Sequence, residues 1–385
     1  MNKEKINICF SSDDNFVPYL GAAITSILKN ANEEDEIYFY IIDNDISLDN
    51  KNKLLDLKVI KPFNIIFRKP AINDIKKYTN WVNISKHKLY TNMSAYFRLS
   101  IPNLFPEVDK ILYLDCDLVV LKSLKELFSY DIDNYLGIVA DDIIWNYRRK
   151  NPSKFPIIYD YLVSIGLDKD THYFNSGVIL INNKLWRKIN IEKLFEDFQL
   201  KYGSNILYAD QCILNYVLKD KVKFISSKWN FAPYLDKDYY PILPNVEDIC
   251  IIHYAASKPW DSNCIDKFYI EQFWKYFCLT PYFQEDIGEH IEIMINQKIN
   301  ALDNKINNLE NINNNKIKDL ECVNNKINNL EYKIDKLIDA LAWWIPIKKW
   351  RDNFRNKFFD KFIGGGVNNG FKFLYPLNFR LGFNY

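Results

Sequence analysis

Two aspartates, Asp115 and Asp117, directly follow an apolar run that extends from Ile111 to Leu114. Such a run is typical of a strand that is buried on both faces. Because buried carboxylates need compensation, we expect the strand to end at Leu114 and to present both side chains at its carboxyl edge, where ligands bind in open α/β sheets. Residues i and i+2 of an extended segment point the same way, so the pair can share Mg²⁺ or Mn²⁺. A solvated turn after a core strand is the alternative interpretation.

The composition restricts the class of protein. A chain of 385 residues with 48% hydrophobic residues is long enough for one large domain or two ordinary domains with appendages. The net charge of +1 argues against nucleic acid as a partner of the whole protein. The seven cysteines are scattered singly, without a C-x-x-C pair, which favours reduced thiols in the cytoplasm. No signal peptide is predicted, and no apolar run reaches the ~18 residues that a transmembrane helix requires.

Strands and helices alternate along the first part of the chain and predict a largely parallel α/β sheet. The predicted strands are 6–10, 36–42 and 64–67, and the predicted helices are about 18–29 and 48–59. The Asp-Asp-Asn sequence at 13–15 therefore falls on the same carboxyl edge as the aspartate pair, although these residues are also ordinary turn and N-cap residues. Residues 70–92 are polar, Lys-rich and aromatic, and a flexible loop near the site is predicted for them.

Polar residues also interrupt apolar segments in the middle of the chain. Arg98 lies in a predicted helix, 93–99, where a buried cation needs a fixed anionic partner, either a protein carboxylate or a ligand phosphate. Asp141 follows a predicted strand at 136–140. Asn175 belongs to an Asn-Ser-Gly sequence that is predicted to form a turn and to open another buried strand.

Two later segments carry ionisable residues at the ends of predicted elements. Asp210 lies at or near the N-cap of a helix that continues through Gln211. His253 ends a short apolar strand, and the sequence Lys258-Pro259-Trp260 follows it. An isolated histidine in this position usually has a structural role. Its occurrence together with the aspartate pair and the Lys-Pro-Trp sequence favours a functional role instead.

In this order, the motifs of residues 5–280 resemble glycosyltransferase family 8, the retaining transferases that include bacterial lipopolysaccharide galactosyl- and glucosyltransferases and glycogenin. The resemblance implies a GT-A fold, in which a Rossmann-like nucleotide-binding half and a mixed-sheet acceptor half form one catalytic domain, assigned to residues 1–285. It also implies a UDP-sugar donor and a divalent cation, usually Mn²⁺.

The resemblance further implies how the donor nucleotide is bound. By the match of the Ser-Ser-Asp-Asp-Asn sequence, Asp13 would hold the uracil and Asn15 the ribose or nearby donor groups. Arg98 would reach the donor sugar and the diphosphate, and Lys258 would bind the diphosphate. One departure concerns the loop 254–257, which lacks the glycine that several relatives have there and is slightly shorter.

The same resemblance assigns the metal ligands and the residues around the donor sugar. The metal ligands would form an oxygen–oxygen–imidazole set that suits Mn²⁺: Asp115, Asp117 and His253. The residues at the sugar and beside its anomeric carbon would be Asp141, Asn175, Asp210 and Gln211. Retention implies either double displacement or same-face attack. Because no dedicated nucleophile is evident and a glutamine is a poor one, same-face attack is favoured, with the leaving phosphate accepting the acceptor's proton.

The composition changes near residue 295, where a heptad pattern begins. The segment Asn-Lys-Ile-Asn-Asn-Leu-Glu occurs at 304–310 and again at 325–331, three heptads later. Isoleucine at a and leucine at d favour a parallel dimer; these positions are Ile299, Ile306, Ile327 and Ile334, and Leu302, Leu309, Leu330 and Leu337. We therefore predict a coiled-coil dimerisation segment over 290–342. A weakly ordered, Asn-rich tether is the alternative.

The last segment, 343–385, is basic and aromatic. Residues 342–385 contain five Lys and three Arg against two Asp, a local net charge of +6. Aromatic and aliphatic residues recur there every three or four positions: Ile347, Trp350, Phe354, Phe358 and Phe362. A basic amphipathic helix of this kind is typical of a peripheral contact with an anionic membrane surface. Packing of this face onto the catalytic domain or a dimer partner is the alternative.

These observations together predict a cytoplasmic enzyme on the inner face of the membrane that transfers galactose or glucose from a UDP-hexose to a glycan or glycolipid acceptor. Lipopolysaccharide or lipooligosaccharide is the expected acceptor class. A sugar nucleotidyltransferase is less favoured, because no Gly-rich phosphate loop follows the first strand. A coiled-coil scaffold that only binds a UDP-sugar is also less favoured, because the candidate metal ligands and the Asp210-Gln211 pair are intact.

Overall fold

The structure is a computed structural model that describes residues 5–84, 93–168, 170–233, 244–255, 258–261, 267–313, 328–330, 332–337 and 340. The chain divides into two units, 1–298 and 299–385. The strands of the first unit are β1 Lys5–Asp13, β2 Glu36–Asn44, β3 Asn64–Arg68, β4 Lys110–Leu114, β5 Leu118–Val120, β6 Gly137–Asp141, β7 Phe174–Asn182, β8 Val222–Ile225 and β9 Ile251–His253.

Helices connect and cover these strands. In the first half of the chain they are α1 Val17–Asn30, α2 Leu48–Asp56, α3 Ile72–Ile84, α4 Met93–Tyr96, α5 Ile101–Leu104, α6 Lys125–Ser129 and α7 Ile143–Lys150. Those that follow are α8 Pro156–Ser164, α9 Asn183–Lys188, α10 Ile191–Tyr202, α11 Ala209–Val217, α12 Lys267–Phe277, α13 Pro281–Glu285 and α14 Ile287–Asn313.

The main sheet has seven strands in the order β3-β2-β1-β4-β7-β6-β8. The neighbours in β3-β2-β1-β4 are parallel, as the alternation of strands and helices predicts. Strand β7 is antiparallel to both β4 and β6, so the sheet is mixed, as a GT-A fold requires. A second, two-stranded sheet pairs β5 with β9 in antiparallel register.

The direction of β7 explains why distant parts of the chain meet at one edge of the sheet. Strand β4 ends at Leu114, which pairs with Val178 near the beginning of β7. Strand β6 ends at Asp141, which pairs with Phe174, the first residue of β7. The beginning of β7 therefore lies at the same edge as the carboxyl ends of the strands on either side of it. Polar residues from three separate segments meet there.

Two local predictions were wrong. Residues 72–84 of the predicted loop form α3, because Tyr78 and Trp81 lie three residues apart and are buried against Tyr96; residues 85–92 lie outside the described residues. The Asn-Ser-Gly sequence at 175–177 is not a turn but the second to fourth residues of β7. The apolar run that follows pairs with the neighbouring strands, and the strand extends back through residues 175–177.

The C-terminal predictions fall partly outside the described residues. Helix α14 covers Ile287–Asn313, which includes the first part of the predicted coiled-coil segment. Residues 328–330 and 332–337 are also helical, whereas 314–327 and 341–385, with the predicted basic tail, lie outside the described residues. Among the helices that are described, none is both long enough and apolar enough to cross a membrane. Dimerisation and membrane contact stay predictions.

Candidate active site

The two aspartates lie at the carboxyl edge of β4, in the segment that joins it to β5. The backbone N–H of Asp115 donates to Gly177 O at 2.9 Å, which ties the end of β4 to the beginning of β7. Asp117 is followed by β5, whose first residue pairs with His253 in β9. The backbone N–H of Tyr254 donates to Asp117 O at 2.8 Å. The short sheet thus places the histidine beside the aspartates, as predicted.

Asp115, Asp117 and His253 bring three possible ligand atoms within 4.8 Å of one another. The Nε2 atom of His253 lies 3.2 Å from Asp117 Oδ1 and 3.6 Å from Asp115 Oδ2. The other ring nitrogen, Nδ1, lies 2.9 Å from Asn230 Oδ1. Because an amide oxygen only accepts, Nδ1 is assigned as a donor to Asn230, and Nε2 is left facing the carboxylates.

Gly177 keeps this cluster open. A Cβ atom at this position would lie 2.2 Å from His253 Cε1 and 2.7 Å from Asp115 Oδ2. Only a residue without a side chain allows the β7 backbone to approach the cluster so closely. Two carboxylate oxygens and an imidazole nitrogen are a donor set that suits Mn²⁺ or Mg²⁺, so the residues present fit a divalent cation.

Arg98 is buried, with 4% of its surface exposed, between the aspartate pair and helix α11. Its Nη2 lies 2.7 Å from Asp115 Oδ1, and its Nη1 donates to Ser176 O at 2.6 Å. Its guanidinium lies over the Tyr113 ring at 4.3 Å. Burial alone would lower the pKa of Arg98, but Asp115 and Asp210 outweigh it and raise the pKa. The buried cation therefore has protein carboxylates as its anionic partners.

Asp210 is the second of these carboxylates. It is the second residue of α11 and is 3% exposed. Its Oδ2 lies 3.0 Å from Arg98 Nε. The Nε–H of Arg98 donates to Ala95 O instead, so Oδ2 has no hydrogen-bond partner among the described residues. Burial raises the pKa of Asp210 to about 6, although Arg98 lowers it. Ala209, just before it, has a φ of 37°, a left-handed conformation that a non-glycine residue rarely adopts.

Gln211 and Asn175 form an amide chain beside this carboxylate. Asn175 Nδ2 donates to Gln211 Oε1 at 3.0 Å, and the backbone N–H of Ser176 donates to the same oxygen at 3.2 Å. Asn230 Nδ2 donates to Asn175 Oδ1 at 3.0 Å and so connects this chain to the partner of His253. The structure thus brings the predicted sugar-site residues next to the metal-site residues.

Asp141 lies in an adjoining open pocket of about 350 Å³. Its Oδ1 accepts from Asn146 Nδ2 at 2.6 Å and lies 2.7 Å from His172 Nε2. The His172 ring is stacked on Phe224, with ring centroids 3.9 Å apart. The remaining lining residues are Asp142, Ile143, Ile144, Asn175, Ser227, Asn230, Phe231 and Ala232. Two partners on a single oxygen hold the Asp141 side chain in one orientation.

Lys258 reaches the aspartate pair from the Lys-Pro-Trp sequence. Its Nζ forms an ion pair with Asp117 Oδ2 and donates to Tyr254 O at 2.7 Å. Burial alone would raise the pKa of Asp117, but Lys258 and His253 outweigh it, so that the pKa is lowered well below its usual range. Asp117 is therefore ionised at neutral pH.

The residues predicted to hold the nucleoside lie at the end of β1, on the edge that the aspartate pair also occupies. Asp13 Oδ1 accepts from the backbone N–H of Phe16 at 3.1 Å and caps the short 3₁₀ helix that follows. Asn15 is exposed. The cap is the alternative that the sequence left open for Asp13, and it occupies one of the two carboxylate oxygens. A role for either residue in binding uracil or ribose stays a prediction.

Three site residues were missed in the sequence: Asn146, His172 and Asn230. Each is a single polar residue that acquires its partner from another segment of the chain, 5 to 31 positions away. None of them belongs to a recognisable spacing pattern. For His172, the local signal is its position as a polar residue just before the apolar strand β7.

A mixed α/β sheet of this order, with two aspartates and a histidine where its strands converge, defines a glycosyltransferase of the GT-A type. The family described as Glycosyl transferase family 8 matches residues 7–264, and the chain belongs to this family. A putative glycosyltransferase of Haemophilus influenzae is 31% identical over 265 residues, which are 68% of this chain and 74% of the relative.

Two further similarities are informative. The lipopolysaccharide 1,3-galactosyltransferase of Salmonella typhimurium is 27% identical over 269 residues, 67% of this chain and 74% of the relative. The crystal structure of the galactosyltransferase LgtC in complex with donor and acceptor sugar analogs superposes with a TM-score of 0.59 and 27% identity, covering 72% of this chain and 96% of that chain. The α/β GT-A-type fold predicted from the motifs is thereby confirmed.

Proposed function

We propose that this protein is a metal-dependent, retaining hexosyltransferase that moves galactose or glucose from a UDP-hexose to a glycan acceptor. The observation that carries the proposal is the cluster of Asp115, Asp117 and His253, with the Lys258 ammonium beside it. When bound there, Mn²⁺ or Mg²⁺ would act as a Lewis acid towards the diphosphate. The names of the similar lipopolysaccharide galactosyl- and glucosyltransferases support a lipopolysaccharide or lipooligosaccharide acceptor.

The residues around the cluster supply the electrostatic part of the mechanism. Lys258 is held beside Asp117, where its ammonium neutralises the charge that develops on the departing UDP. Asp210 presents a buried carboxylate oxygen without a hydrogen-bond partner among the described residues, which stabilises positive charge on the oxocarbenium-like sugar. Arg98 lies between Asp115 and Asp210 and holds both in place, rather than having only the donor as its partner.

The contacts of Gln211 favour same-face attack over double displacement. Its Oε1 already accepts two hydrogen bonds, and a neutral amide is a weak nucleophile. The Asp210 carboxylate is held by Arg98 at 3.0 Å, which lowers its nucleophilicity. Neither group is suited to form a covalent glycosyl intermediate. The acceptor hydroxyl would then attack from the side of the leaving UDP, whose phosphate takes its proton.

The decisive experiment measures UDP release from a panel of UDP-hexoses, with and without Mn²⁺. The wild type is compared with Asp117→Ala and with Asp133→Ala, a control at an exposed aspartate. We expect slow, metal-dependent hydrolysis of one donor that is lost in Asp117→Ala and kept in the control. UDP binding without turnover, even with acceptor glycans present, would favour the non-catalytic scaffold. Absence of UDP binding by folded protein would refute the transferase assignment.

We further propose that the C-terminal heptads form a homodimer and that the basic segment 343–385 holds the enzyme at the inner face of the membrane. The support is the heptad register and the local charge of +6, both read from the sequence. Cosedimentation with vesicles of anionic lipid, against vesicles of neutral lipid, tests the second point. Equal recovery with both, for the full chain, would favour packing of the segment on protein.

A further inference from the structure

The Lys-Pro-Trp sequence forms a tight turn that sets the position of Lys258. The backbone N–H of Asp261 donates to Lys258 O at 3.1 Å, and Pro259 occupies the second position, where its fixed φ favours a β-turn. The Lys258 side chain extends from this turn to Asp117. Any shift of the turn therefore moves the ammonium relative to the aspartate pair.

Two side chains hold this turn from the side of the helices. Trp260 is stacked on Tyr19 of α1, with ring centroids 3.6 Å apart and planes within 11°. Gln297 of α14 donates through Nε2 to Pro259 O at 2.7 Å and to Asp261 O at 2.8 Å. The stacking of Trp260 fixes the turn by packing. The hydrogen bonds of Gln297 fix the direction of two of its carbonyl groups.

Gln297 is fully engaged in this contact. It is 6% exposed, and its Oε1 accepts from Trp274 Nε1 at 3.2 Å, so each of its polar groups has a partner. Ile291 and Ile295 are buried on the same helix and would anchor α14 without any polar residue. A buried amide costs desolvation unless it is satisfied, so its complete hydrogen bonding indicates a specific geometric role.

We propose that Gln297 is a positioning residue for the donor diphosphate, acting through the 258–261 turn and Lys258. Helix α14, which also carries the first heptads, is thereby linked to the proposed nucleotide site through one amide. The proposal rests on the proposed function of Lys258 as a ligand of the UDP diphosphate. It assigns to the C-terminal helix a part in donor binding that is separate from dimerisation.

The test is a double-mutant cycle read by the affinity for UDP in the presence of Mn²⁺. Gln297→Met keeps the length of the side chain but removes its donors and its acceptor, and Gln297→Glu removes the donors alone. Asn296→Ala, at the exposed neighbouring position, is the matched control. We expect both Gln297 variants to weaken UDP binding about tenfold in the wild-type background, equivalent to about 1.4 kcal/mol, and Asn296→Ala to leave it unchanged.

The background of the cycle separates positioning from general destabilisation. In Lys258→Ala protein, the Gln297 substitutions should cost no further affinity, because the group that they misplace is already absent. An equal loss in both backgrounds, or unchanged affinity in folded Gln297→Met, would overturn the assignment while leaving the transferase function standing. Failure of the folded wild type to bind UDP would overturn the proposed function, and this assignment with it.

Discussion

Replacement of Gly177 by alanine should disable the metal site through a single added carbon. The new Cβ would lie 2.2 Å from His253 Cε1 and 2.7 Å from Asp115 Oδ2, more than 1 Å and about 0.7 Å inside the ordinary contact range that begins at 3.4 Å. The histidine cannot turn aside easily, because its Nδ1 is bonded to Asn230 and it is 2% exposed. The carboxylate is held by Arg98 and by the Tyr113 hydroxyl at its other oxygen.

The magnitude follows from this overlap. Insertion of a carbon into a packed site costs about 1–3 kcal/mol of folding free energy. Ligand distances in metal sites are held to about 0.2 Å, so a displacement of His253 by close to 1 Å removes it as a ligand. Disturbance of even the outer contacts of a metal ligand typically costs about 10–100-fold in metal affinity. We therefore expect a loss of at least that size for Gly177→Ala.

The assay is a Mn²⁺ titration of the UDP-bound protein, with thermal unfolding recorded in parallel. Gly288→Ala is the control, since a Cβ there would meet nothing within 4 Å. The control should bind Mn²⁺ as the wild type does and should unfold at an equal or higher temperature. If Gly177→Ala protein folds and binds Mn²⁺ with wild-type affinity, the close approach of β7 to the cluster is not what shapes the site.

Three further outcomes are expected. Asn230→Ala removes the hydrogen-bond acceptor that orients the ring of His253, so Mn²⁺ affinity in the same titration should fall about 10–100-fold, with a loss of about 1–3 kcal/mol of folding free energy from the unsatisfied Nδ1; unchanged affinity would contradict this role of Asn230. Burial raises the pKa of Asp210 to about 6, so its carboxylate gains a proton and turnover should fall as the pH drops below about 6. That limb should vanish in Asp210→Asn. It should persist in the control Asp142→Asn, because burial also raises the pKa of Asp142 to about 6 and asparagine preserves the N-cap that Asp142 forms. Joint replacement of Leu309 and Leu330 by asparagine should convert a dimer to a monomer in sedimentation equilibrium, and an unchanged mass would favour the tether.

Much of the site could be predicted because it is built from residues that follow apolar strands. The run that ends at Leu114 places Asp115 and Asp117 without knowledge of the rest of the fold, since strands of this type are buried and their carboxyl ends bind ligands. The same logic placed Asp141 at the end of β6 and His253 at the end of β9. Each of these residues lies where the sequence changes from apolar to polar, and this change can be recognised from the local sequence.

The parts that were missed depend on pairings between distant segments. The Asn-Ser-Gly sequence resembles a turn locally, and only the antiparallel pairing of β7 with β4 and β6 makes it strand. Asn230 becomes a site residue because an isolated bridge pairs Phe231 with Ile252, next to His253. The 72–84 segment forms a helix because Tyr78 and Trp81 pack against buried partners that cannot be identified from the local sequence. Tertiary pairing, not composition, decides all three.

The charges at the site favour the proposed binding of a cation before the diphosphate of the donor. Three carboxyl side chains, those of Asp115, Asp117 and Asp210, form ion pairs with two basic side chains, Arg98 and Lys258. Under the proposed function, a divalent ion bound by Asp115, Asp117 and His253 would add two positive charges to this group. The added charge would favour the dianionic diphosphate of the proposed UDP-sugar donor, which the carboxylates alone would repel. Because Arg98 is shared by Asp115 and Asp210, a change of charge at the proposed metal ligands would also reach the Asp210 carboxylate. Under the proposed function, metal binding and the electrostatics at the reacting carbon would thus be coupled through one guanidinium.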